Sequence, residues 1–75
     1  MDKGWIGRRA ALAIERAAFD ACRPVREILA ETGIDKNLYY AWRAGKNEPA
    51  AYALAKLADY GVDIRWILLG EEAGR

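Results

Sequence analysis

The chain has 75 residues, 53% of them hydrophobic, and its net charge is only +1. That length makes one domain, 1–75, which buries only roughly 60% of its unfolded surface, and that composition excludes a disordered chain. Histidine and serine are absent and Cys22 is the single cysteine, which excludes a disulfide framework, a structural metal, a Cys–His pair and a serine nucleophile.

The charge is unevenly placed. Residues 1–47 carry nine Lys or Arg against six Asp or Glu, and residues 48–75 carry three against five. The mild basic excess therefore lies in the N-terminal part.

Residues 1–7, with Gly4 and Gly7 around Trp5 and Ile6, read as a loose lead-in. From Arg8 to Cys22 the apolar residues Ala11, Ile14, Ala18 and Ala21 or Cys22 recur at helical steps, and Leu12 and Phe19 are expected to widen the same face. Pro24 breaks that helix and suits the first turn of the next. A second helix, about Val25 to Glu31, packs through Val25, Ile28 and Leu29 and stops at Thr32-Gly33. Asp35 caps a third helix that ends at Gly45. Lys46 to Glu48 form a polar loop. Pro49 opens a fourth helix whose buried face is expected from Tyr52, Leu54, Ala55, Leu57 and Ala58, with Gly61 as its end. Asp63 caps a short fifth helix, Ile64 to Leu69, closed by Gly70. No segment alternates like a strand, so the expected fold is all-α, a compact five-helix domain. Its order of helix, Gly-containing turn and capped short helix, about 24–45, is that of a helix-turn-helix, followed by C-terminal helices over 49–70.

Residues 24–70 resemble the DNA-binding domain of the phage repressor and Cro-type helix-turn-helix family. The resemblance rests on Gly33-Ile34-Asp35-Lys36-Asn37 running into Trp42, on Gly45-Lys46-Asn47-Glu48-Pro49, on Ala55-Lys56-Leu57-Ala58-Asp59-Tyr60-Gly61-Val62, and on the closing Asp63-Ile64-Arg65-Trp66-Ile67-Leu68-Leu69-Gly70. The family's common Ser or Thr cap, its Gln near the second helix start and its Asn before the helix-ending Gly are replaced by Asp35, Pro24-Val25 and Ala44. The resemblance implies a sequence-specific, double-stranded-DNA-binding transcriptional regulator, a repressor of phage type that acts as a dimer.

In such a motif the first turn of the third helix reaches base edges. Lys36 suits guanine O6 and N7, and Asn37 suits adenine N6 and N7. Tyr40 and Ala41, one turn on, are the further base-contact candidates. Arg23, Arg26, Arg43, Lys46 and Asn47 are the phosphate candidates. Tyr39 and Trp42 are expected to fasten the helix to the core, and Leu38 to join them. Arg8 and Arg9 are weaker candidates for a basic arm. Ile64, Trp66, Ile67 and Leu68 offer more apolar area than a short helix buries locally, so they are the expected homodimer interface.

No enzymatic activity, cofactor, metal or small-molecule substrate is expected. The first residues lack the layout of a signal peptide and no apolar run approaches a membrane span, so the expected place is the cytoplasm of a bacterial or phage-infected cell, at the nucleoid. A second function class also fits these features: a protein-interaction module of helix-turn-helix shape, an antirepressor or adaptor, that uses its aromatic faces and does not read DNA.

Overall fold

Gly4 and Gly7 are not a loose lead-in but belong to the docking end of the first helix. The computed structural model describes residues 4–70, and within them α1 spans Trp5–Ala21, α2 Val25–Thr32, α3 Lys36–Arg43, α4 Ala51–Tyr60 and α5 Ile64–Leu69. Among the described residues no strand occurs, as expected. Residues 1–3 of the expected lead-in lie outside the described residues. No described helix is long and apolar enough to cross a membrane.

α1 is the central element and packs on α2, α3 and α5, while α4 bridges α2 and α5. Its inward face is small: Gly7, Ala10, Ala11, Ala13, Ile14 and Ala18 are the buried residues. Small side chains let α3 approach closely. At Gly7 the approach is backbone on backbone, because a Cβ built there would sit 2.3 Å from the carbonyl oxygen of Asn47 and 3.3 Å from the Cα of Trp42. The bulky Leu12 and Phe19 have no room on that face. They lie outside it, 46% and 82% exposed, against the expectation. Cys22 ends the helix in the left-handed region, at φ 56°.

The core joins Ile14 to Ile28, Leu29, Ile34, Tyr39, Trp42, Leu57 and Ile67. Trp42, Ile14, Ile28, Leu57 and Ile67 are its largest fully buried side chains. Burial of such groups contributes roughly 1.5–3 kcal/mol each against leaving them in water.

α4 begins two residues after Pro49, with Ala50 as its N-cap. Its buried face is Ala53 and Leu57, with Leu54 and Tyr60 half-buried. Tyr52, Ala55 and Ala58 are exposed, contrary to expectation. An almost continuous apolar run has no clear side, and here the helical step from Ala53 to Leu57 selects the inner one. Asp63 caps α5 by accepting the Trp66 amide at 3.1 Å. The other end of α5 is held from a distance: Arg9 donates to the carbonyl of Ile67 at 2.7 Å and to that of Leu68 at 3.3 Å. These contacts satisfy helix-terminal carbonyls with a cation at the negative end of the dipole, so Arg9 is a structural residue and not part of a basic arm.

Candidate nucleic-acid interface

The turn between α2 and α3 is held from three sides. Thr32, buried at the end of α2, donates its hydroxyl to the carbonyls of Ile28 and Leu29 at 2.9 and 3.2 Å. Gly33 follows at φ 74°, a backbone state that costs a side chain free energy and glycine little. Lys56 of α4 then donates to the Gly33 carbonyl at 3.2 Å. Ile34 drops its side chain into the core and its amide donates to the Leu29 carbonyl at 3.1 Å.

Asp35 starts α3 as expected. Its carboxylate accepts the Asn37 amide at 2.7 Å, which satisfies one donor that the helix start would otherwise leave open. The helix then divides by face. Tyr39 and Trp42 are buried and Leu38 is half-buried against the core, as the aromatic spacing led one to expect. Lys36, Asn37 and Tyr40 are exposed on the opposite face, and Ala41 lies half-buried at its edge. The exposed ring of Tyr40 leans on that of Tyr39, with centroids 5.4 Å apart.

Tyr39 is anchored beyond its ring. Its hydroxyl donates to Glu15 of α1 at 2.5 Å. Burial and that bond push the phenol up to about 12. Arg43 sits 3.9 Å from the same carboxylate oxygen with its side chain 64% exposed, so it leans on Glu15 while its guanidinium reaches water.

The remaining cations differ in what holds them. Arg23 is engaged inside the fold: its Nε donates to Glu27 at 2.9 Å and both its terminal nitrogens donate to Glu31. Tyr60 donates to Glu31 as well, at 2.9 Å. Arg23 first and Tyr60 second hold the Glu31 carboxyl below its ordinary range. The bond to Glu31 raises Tyr60 in turn. A phosphate contact by Arg23 would have to compete with this cluster. Arg26, Lys46 and Asn47 are exposed. Lys46 and Asn47 line a surface concavity of about 620 Å³ together with Leu38, Trp42 and Tyr52. Tyr52, 58% exposed there, is a polar aromatic on the outer side of α4 and not a core residue.

The expected dimer face divides too. Ile67 is fully buried in its own chain and cannot meet a second one. Ile64 and Trp66 are half-buried against the core, and Arg16 lies over the Trp66 ring at 5.1 Å. Leu68 and Leu69 alone face water, 39% and 56% exposed.

Glu15, Lys56 and Arg16 were missed as organising residues because their partners lie on other helices, which no local spacing signals. Among the described residues no group of His, Cys, Asp and Glu could hold a metal ion. The chain matches no family model, and no curated protein or solved structure matches it.

Proposed function

We propose that this chain is a sequence-specific reader of double-stranded DNA, a transcriptional regulator of the phage repressor and Cro helix-turn-helix kind that acts as a dimer by occupying an operator. The observation that carries the reading is the two-sidedness of α3. Ile34, Tyr39 and Trp42 fix one side in the core while Lys36, Asn37 and Tyr40 stand exposed on the other. A short, firmly anchored helix with an amine and an amide at its exposed first turn suits a major groove, where lysine matches guanine and asparagine matches adenine. Ala41 at the edge allows close approach to a thymine methyl. Arg26, Arg43 and Lys46 supply the cations for phosphates, with Asn47 and Tyr52 as neutral donors beside them.

The near-neutral charge fits a protein that gains affinity by pairing two half-sites rather than by bulk attraction. The second reading, a protein-interaction module, draws support from the exposed apolar residues of α1.

Selection of duplexes from a random pool tests the reading. A two-fold motif recovered by the native chain and lost with Lys36→Ala/Asn37→Ala supports it. No enrichment above background, even at low salt, overturns it in favour of the interaction module.

A further inference from the structure

α1 has two apolar faces and the chain covers only one of them. Trp5, Leu12 and Phe19 follow one another at intervals of seven residues. A helix drifts by only about 20° over such a step, so the three form one stripe, opposite the buried Ala10, Ile14 and Ala18. They are 46%, 46% and 82% exposed. Charged pairs separate them along the row, Arg8 and Arg9 between Trp5 and Leu12, and Glu15 and Arg16 between Leu12 and Phe19.

The charges beside the stripe say what covers it. Arg8 and Glu15 lie along one flank, and Arg9 and Arg16 along the other, by their helical positions. Consider a second copy laid antiparallel across it, with the two-fold axis at Leu12. Trp5 and Phe19 stand seven residues to either side of Leu12, so each Trp5 meets the partner's Phe19 and Leu12 meets the partner's Leu12. In that symmetry like flanks face each other. Arg8 then falls within one residue, about 1.5 Å along the axis, of the partner's Glu15, and this pair forms twice.

The other flank sets Arg9 opposite the partner's Arg16, and each is held by contacts within its own chain. Arg9 is bonded to the end of α5 at 2.7 Å and lies over the Trp5 ring at 5.8 Å, and Arg16 lies over Trp66 at 5.1 Å. Glu15 makes its contacts to Tyr39 and Arg43 through Oε2, which leaves Oε1 for the partner. A parallel two-fold pairing would instead bring unlike flanks together, setting Arg8 beside the partner's Arg9 and leaving no Arg8–Glu15 bridge.

We infer that two copies of this chain pair antiparallel through the outer face of α1, Trp5 against the partner's Phe19 around Leu12, with two Arg8–Glu15 bridges. The pairing replaces α5 as the self-association surface and stands whether or not the chain reads DNA.

Sedimentation equilibrium of the full chain, from low micromolar to near-millimolar, tests it. The native chain is expected to dimerise. Phe19→Ser, at a position already exposed, is expected to raise the dissociation constant by about 100-fold, since two rings lose their cover. Arg8→Glu and Glu15→Arg are each expected to be monomeric, and their equimolar mixture to dimerise, because every bridge then joins unlike charges. Leu12→Cys in a Cys22→Ala background is expected to cross-link to itself on mild oxidation and does not depend on Glu15→Arg folding. A native chain that stays monomeric throughout overturns the inference. So does a dimer indifferent to Phe19→Ser but lost with Leu68→Ala/Leu69→Ala, which would return the interface to α5.

Discussion

The Tyr39 hydroxyl donates to the Glu15 carboxylate at 2.5 Å and thereby ties α3 to α1. The bond exists only while the phenol keeps its proton. Burial and Glu15 together raise that group to about 12, above its ordinary value, so the stabilisation is fully present below pH ~10 and is lost as pH rises towards ~12. The phenol end is partly wet, and screening reduces the effect to about 1 kcal/mol. Denaturant midpoints across that window are expected to fall for the native chain more steeply than for Tyr39→Phe.

Gly7→Ala is expected to destabilise the chain by about 3 kcal/mol, the upper range for forced overpacking. The added carbon would lie 2.3 Å from the Asn47 carbonyl oxygen, a backbone atom that no rotamer can move. Leu12→Ala, on the open side of the same helix, is expected to change stability by no more than ~0.5 kcal/mol at concentrations where the chain is monomeric. Thermal or urea unfolding of the two variants separates the faces of α1.

Ile67→Ala removes a fully buried side chain and is expected to cost about 2–5 kcal/mol. Leu68→Ala, next to it and 39% exposed, is expected to cost much less. Equal losses in urea unfolding would mean that α5 lies differently against α1.

For duplex binding, the three exposed phosphate candidates Arg26, Arg43 and Lys46 give an expected log–log salt slope of about −3 per subunit. Lys46→Ala is expected to reduce that slope by about 1 while leaving sequence preference intact. Arg23→Ala is expected to leave the slope unchanged, because Glu27 and Glu31 already neutralise that side chain. Titration of binding against salt for each variant is the check.

Much of the architecture was legible in the order of residues. Asp35 and Asp63 cap their helices as the sequence suggests, and Gly33, Gly61 and Gly70 end theirs in left-handed geometry. These signals act within a few residues, where the chain's own stereochemistry decides. Periodicity carried less where alanine abounds. In α1 both faces repeat at helical steps, and only the close approach at Gly7 determines that the small face turns inward. In α4 the run from Ala51 to Ala58 has no polar gap except Lys56, so nothing local marks Tyr52 as outward. At the candidate interface, exposure of Lys36, Asn37 and Tyr40 followed from α3 alone. The engagement of Arg23 by Glu31 spans eight residues, and that of Glu15 by Tyr39 spans 24. Such pairings are products of tertiary placement and leave no trace in local spacing.

The contact between Gly7 and the segment Trp42 to Asn47 has a mechanical side. Side chains at a helix junction work as springs, changing rotamer to absorb a shift, and at Gly7 itself there is none to do so. α1 and the end of α3 are therefore geared together. A tilt of α1 at this point meets main chain directly at the end of α3, the helix that carries Lys36 and Asn37 on its exposed face.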